Sequence, residues 1–118
     1  VTACAGRKIL LADRRASGIF RFMAFDTPAA HRLVCYFSGR VQGVGFRYTV
    51  NNLALCHNVN GYVRNLPDGR VELLMEGPDS EMDRLIADVG SRMNQFIKSI
   101  QRDTQPATGE FDHFYIRH

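Results

Sequence analysis

Two apolar rhythms alternate along residues 31–117, and their order constrains the fold more than any other feature. Leu33, Cys35 and Phe37 alternate with Val34, Tyr36 and Ser38, the period-two pattern of a strand buried on at least one face. Phe46, Val50, Leu53, Ala54 and His57 then recur at the spacing of one helix face, and residues 58–60 end it. Residues 61–66 read as a second strand. Pro67-Asp68-Gly69 reads as a turn, because proline presets φ while Asp and Gly tolerate turn geometry. Residues 70–76 read as a third strand, antiparallel to the second. Gly77-Pro78-Asp79-Ser80 opens a second helix with Asp79 or Ser80 as its N-cap, and Met82, Leu85, Ile86, Val89 and Met93 form its apolar stripe. A strand at 96–102, a polar loop at 103–109 and a last strand at 112–117 complete the pattern.

The order β-α-β-β-α-β, plus a short terminal strand, has a natural packing. Both helices cover one face of an antiparallel or mixed sheet, giving a ferredoxin-like α+β sandwich. The 118 residues suffice for one domain with a core that needs no disulfides. No apolar run approaches the ~20 residues of a membrane span, so no membrane partner is expected. Cys4, Cys35 and Cys56 are odd in number and widely spaced, which points to reduced thiols and a cytoplasmic setting. His31, His57, His113 and His118 show no metal-ligand spacing, so neither metal nor cofactor is expected. His57 reads as a packed histidine capping carbonyls at a helix end. Nothing demands more than a monomer.

The formal charge of +3 invites a nucleic-acid reading, but its distribution argues against one. Residues 1–22 hold five basic residues and one acid, a net +4. Residues 23–118 hold ten basic residues against eleven acids, a net −1. The body is therefore close to neutral and implies no polyanion partner. Tyr36 and Tyr62 could stack on bases, yet no run interleaves aromatics with basic residues as an RNA-binding sheet requires. Residues 1–22 precede the first methionine, Met23, and are expected to be an appended or upstream-translated leader with little order. The competing reading is an Arg-rich targeting peptide; a secretory signal is disfavoured, since Ile9-Leu10-Leu11-Ala12 is too short an apolar stretch. The domain proper is expected at 23–118.

The chemistry concentrates between the first strand and first helix. Gly43 and Gly45 allow tight backbone turns and close approach to a ligand. The helix that follows presents free N–H groups and a positive dipole end, which together make an anion site. Arg47, in the first helical turn, adds a planar cation suited to phosphate oxygens. Read alone, a Gly-x-Gly loop is more often just a turn, and neither Walker A nor G-x-G-x-x-G is present.

Gly39-Arg40-Val41-Gln42-Gly43-Val44-Gly45-Phe46-Arg47 resembles the signature loop of the acylphosphatases. The stretch from Gly61 through Asn65 and the Pro67 turn to Glu72 resembles that family's second signature, at a suitable spacing. The resemblance covers about residues 31–118. It implies a phosphate cradle of N–H groups along Val41, Gln42, Gly43, Val44, Gly45 and Phe46, completed by Arg47. It implies that Asn65 orients the attacking water. The reaction would be metal-free hydrolysis of a small acyl phosphate to carboxylate and inorganic phosphate, with phosphate as product and inhibitor. The runner-up is an acylphosphatase-like module that handles carbamoyl phosphate or binds an anion without catalysis. Two departures bear on the rim of the site and so on substrate preference. Tyr62 stands where many members carry Trp, and residues 91–95 lack a Gly-Pro element common after the second helix.

Overall fold

The computed structural model describes residues 31–118. The leader at 1–22 and the start of the expected domain at 23–30 lie outside the described residues. The elements are β1 (His31–Gly39), α1 (Phe46–Ala54), β2 (Asn60–Asn65), β3 (Val71–Gly77), α2 (Asp79–Arg92), β4 (Ile97–Pro106) and β5 (Phe114–Ile116). They build a five-stranded sheet in the order β4-β1-β3-β2-β5. All neighbouring pairs are antiparallel except β2 and β5, which run parallel. This is the ferredoxin-like α+β arrangement, with a mixed sheet. Among the described residues no helix is long and apolar enough to cross a membrane.

The apolar periodicities explain the layers. Leu33, Cys35 and Phe37 of β1, Val63 of β2, and Val71, Leu73 and Met75 of β3 face one core. Phe46, Val50, Leu53 and Ala54 of α1 pack into it, as do Met82, Leu85, Ile86 and Val89 of α2. Phe37 and Phe46 meet with ring centroids 5.1 Å apart, which fixes the start of α1 against the end of β1. Each such fully buried side chain contributes roughly 1.5–3 kcal/mol of transfer free energy. Burial in this layer pushes the Cys35 thiol up to about 12, so it stays an unreactive, protonated thiol.

The opposite sheet face carries a smaller cluster of Val34, Tyr62 and Leu74, with Tyr36, Phe111 and Tyr115 against it. Arg117 and Arg64 lie over the Tyr62 ring, at 4.1 and 5.7 Å from its centroid, and Arg70 over Tyr36 at 4.7 Å. Arg64 also pairs with Glu72 at 2.5 Å and Arg70 with Asp68 at 2.8 Å. The aromatic faces are thus roofed by guanidinium groups, most of them tied to carboxylates.

Four local expectations are corrected. Residues 103–106 are not loop but the end of β4, which pairs along all of β1 from Gly39↔Ile97 to His31↔Pro106. β4 is an edge strand whose residues are mostly exposed, so it needs no apolar alternation to betray it. The last strand is shorter than residues 112–117, because pairing with β2 spans only Phe114–Ile116. The N-cap of α2 is Pro78, in an extended conformation with no side-chain cap, while Asp79 and Glu81 occupy the first turn and complement the helix dipole. Finally, α1 ends at Ala54, and N–H groups of Cys56 and His57 reach back three residues to Leu53 and Ala54. His57 therefore lies beyond the helix. Among the described residues its buried ring caps no carbonyl; Nδ1 meets Glu81 Oε1 at 3.3 Å and Nε2 meets Asp88 Oδ2 at 2.7 Å, both on α2.

Candidate active site

The connection from β1 to α1 is held at both flanks and left open between. Arg40 N–H donates to the Phe96 carbonyl at 2.9 Å, and Val41 is fully buried. The Gln42 amide donates to the Leu66 carbonyl at 2.8 Å and the Arg70 carbonyl at 3.0 Å, which ties the loop to the turn between β2 and β3. Gly43 and Gly45 then adopt left-handed backbone, with φ of 79° and 76°. A side chain there would be strained by this φ rather than by lack of room, since a Cβ would enter open space. The two glycines let the chain double back into α1 while keeping that space clear.

Gly45 is the N-cap of α1 and offers no side chain to the helix N–H groups. The first intrahelical bond runs from Thr49 N–H to the Gly45 carbonyl at 3.0 Å. The N–H groups before it therefore lack acceptors within the helix, and the first turn carries no acidic residue. A backbone of this kind presents donors and a positive dipole end with nothing to neutralise them.

A cavity of about 190 Å³ opens over this turn. Val41, Gly43, Gly45, Phe46, Arg47 and Tyr48 line it from the loop and α1. Asn65, Ile116 and His118 line it from the far wall. Gln42 and Val44 are not in the lining. Gln42 acts as the staple described above, and Val44 packs against the core. Arg47 is half-buried and, among the described residues, has no carboxylate partner; its Nη1 lies 3.5 Å from His118 Nδ1. Asn65 is the last residue of β2, opposite Val71. Its side-chain oxygen is buried and has no hydrogen-bond partner among the described residues. A buried amide oxygen without a partner costs about 1–3 kcal/mol, and a water or ligand in the cavity would remove that cost. Larger surface depressions exist, of about 430 and 510 Å³, but neither includes a helix N-terminus or an orphaned polar atom.

Tyr48, Ile116 and His118 line the cavity although no motif points to them, and of these His118 lies beside Arg47. It comes to the cavity because β5 pairs parallel with β2, Val63 opposite Ile116, and Arg117 N–H donates to the Val63 carbonyl at 2.9 Å. Two residues further on, the same register sets 118 beside 65. No local pattern announces a parallel pairing across fifty residues of chain. Arg40 is exposed and off the cavity, and Arg64 and Arg70 belong to the opposite sheet face.

The acylphosphatase family model matches residues 33–116. The chain is 41% identical over 86 residues to an acylphosphatase of Syntrophus aciditrophicus, covering 72% of this chain and 90% of that one. It is 54% identical over 54 residues to an acylphosphatase of Chromohalobacter salexigens, a match that spans 46% of this chain and 60% of the relative's length. The crystal structure of acylphosphatase from Bacillus subtilis superposes with a TM-score of 0.67 at 30% identity, over 75% of this chain and 99% of that one.

Proposed function

The chain belongs to the acylphosphatase family, and from that premise we propose that it hydrolyses small acyl phosphates with Arg47, the loop N–H groups and Asn65 as its machinery. The observation that carries the assignment of residues is the convergence on one cavity of an uncapped helix N-terminus and, among the described residues, a guanidinium with no carboxylate partner and an orphaned Asn65 oxygen.

The phosphoryl group sits on the N–H groups around Gly43, Gly45 and Phe46, with Arg47 on its equatorial oxygens. Phosphoryl transfer demands mainly positioning and stabilisation of charge on those oxygens. Fixed N–H donors and one guanidinium supply that stabilisation without reorganising. The Asn65 side-chain oxygen accepts a hydrogen bond from a water and aims its lone pair at phosphorus. As the water oxygen bonds to phosphorus, the bond from phosphorus to the acyl oxygen breaks and a carboxylate leaves. The carboxylate is a stable anion, so no strong acid is needed. An amide is too weak a base to take the water's proton, which passes to a phosphate oxygen. Inorganic phosphate fits the same cradle and inhibits as product. The cavity is lined by residues of a single chain, which supports a monomer.

The test is hydrolysis of benzoyl phosphate in excess chelator by wild type, Arg47→Ala and Asn65→Ala. Activity is expected to survive chelation and to be inhibited competitively by inorganic phosphate. Each substitution is expected to lower kcat/KM by about 10²-fold or more, the scale of losing one preorganised donor or positioning group. Full activity in both variants would reject the residue assignment, and strict dependence on added metal would reject the mechanism.

A further inference from the structure

Arg47 has an unusual situation for a half-buried arginine. Arg32, Arg64, Arg70 and Arg102 each hold a carboxylate within 2.8 Å. Arg47 has none among the described residues, and a carboxylate there would compete with the substrate's phosphate. A guanidinium left wholly unrestrained, however, must be ordered each time an anion binds, at a cost in side-chain entropy. The neighbour that the structure supplies is His118, whose Nδ1 lies 3.5 Å from Nη1 of Arg47 on the wall of the same cavity.

We propose that His118 is a positioning residue for Arg47: its neutral imidazole accepts from the guanidinium and keeps it aimed into the anion cavity without neutralising it. The inference rests on the acylphosphatase reading of that cavity. A guanidinium carries donors only, so the contact is attractive only when Nδ1 bears a lone pair and the ring proton is on Nε2. A neutral acceptor suits the task. It is too weak to outcompete a phosphate dianion, yet sufficient to narrow the rotamers of a long side chain. It also leaves the remaining Arg47 donors for phosphate oxygens. The contact is long, at the limit of hydrogen bonding, which fits a partner that is readily exchanged for substrate. The other titratable side chain on the cavity wall, Tyr48 of α1, is two-thirds exposed.

The experiment compares wild type, His118→Ala, His118→Asn and His118→Gln, alone and with Arg47→Ala. The readouts are benzoyl phosphate kinetics, inhibition by sulfate and thermal unfolding. Asn can place its amide oxygen near the Nδ1 position, whereas Gln reaches further and best imitates Nε2. His118→Ala is expected to raise KM and the sulfate Ki about threefold to tenfold, the scale of one modest hydrogen bond. The fall in kcat should be smaller, and Tm should stay within about 2 °C of wild type because His118 is exposed. His118→Asn should recover most of the loss and His118→Gln should not. In the Arg47→Ala background, His118→Ala should change nothing further. Unaltered KM and Ki in His118→Ala, equal impairment of the Asn and Ala variants, or an undiminished effect without Arg47 would each overturn the proposal. A wild type that is active and sensitive to Arg47→Ala, but indifferent to His118→Ala, defeats this inference alone. A wild type that hydrolyses no acyl phosphate and binds no sulfate defeats the functional reading and this inference with it.

Discussion

The hairpin of β2 and β3 has two kinds of polar surroundings, and they treat buried polar side chains in opposite ways. On the sheet face away from the helices, Glu76 is 4% exposed and fully engaged. It accepts from Arg32 Nε at 2.8 Å, from the N–H groups of Thr108 and Gly109 at 2.9 Å each, and from the Thr108 hydroxyl at 3.1 Å. Glu72 beside it accepts from Arg64 and from the Tyr62 hydroxyl. At the hairpin's other end, among the described residues, the Asn65 oxygen accepts from nothing and Arg47 meets no carboxylate. One region uses its polar groups to pin the 107–110 loop to the sheet. The other keeps them available. An orphaned oxygen alone would not mark a site: Asn51 Oδ1 in α1 is also buried without a partner among the described residues, yet Asn51 does not line the cavity. What marks the candidate site is that open donors, a cation with no carboxylate partner and an open acceptor share one small volume among the described residues.

The comparison can be broken by moving stability at the mouth or activity at the far face. The largest expected effect is that of Arg47→Ala. Its loss of about 10²-fold or more in kcat/KM corresponds to roughly 2.7 kcal/mol, while Tm should hardly move. A large drop in Tm would show that Arg47 is structural and erase the contrast.

Glu76→Gln should do the reverse. An amide cannot accept at every point where the carboxylate does, so one donor is left facing N–H groups. The expected cost is about 2 kcal/mol of stability, read as a Tm lowered by on the order of 10 °C, with kcat/KM within about twofold of wild type. The pH dependence follows from the same contacts. Burial by itself would raise the Glu76 carboxyl, but the Thr108 and Gly109 N–H groups and Arg32 outweigh it and hold the group below its ordinary range. A carboxyl depressed on folding stabilises the fold above its unfolded-state pKa and loses that contribution as pH falls through its folded-state value. Acid melts of wild type should therefore converge on those of Glu76→Gln at low pH. Parallel melting curves at every pH would deny Glu76 that role.

Gly45→Ala sharpens the mouth itself. Forcing a Cβ into left-handed backbone costs about 1–2 kcal/mol, and relaxation of the loop should misplace the cradle. The phosphate Ki should rise at least severalfold in a competition assay, and an unchanged Ki would mean the loop does not hold the anion. The smallest effect is expected of Gln42→Ala, which removes two hydrogen bonds to the Leu66 and Arg70 carbonyls. About 1 kcal/mol is at stake, to be seen as a small rise in KM that osmolyte or lower temperature should not correct if the staple sets the loop's position. Loss of Tm with unchanged KM would reassign Gln42 to the hairpin alone.

Much of the site was legible because its parts are local. Two glycines before a helical stripe, an arginine in the first turn and an Asn ahead of a Pro-Asp-Gly turn all sit within short stretches of chain. Their spacing follows from backbone sterics and helix geometry. The element order was legible for the same reason, since periods of two and 3.6 residues report burial directly. The edge strand β4 hid its full length because an exposed strand need not alternate.

The amino-acid sequence by itself thus determined the order of the secondary elements, the glycine-bearing loop before α1 and the family resemblance. Only the tertiary structure decided that Asn65 would lack a partner, that His57 would bind two carboxylates of α2, that Glu76 would gather the 107–110 loop, and that His118 would stand beside Arg47. The last three of these are meetings of residues distant in the chain. Such meetings depend on which strand edges pair and in which direction, and local propensity carries no record of that choice.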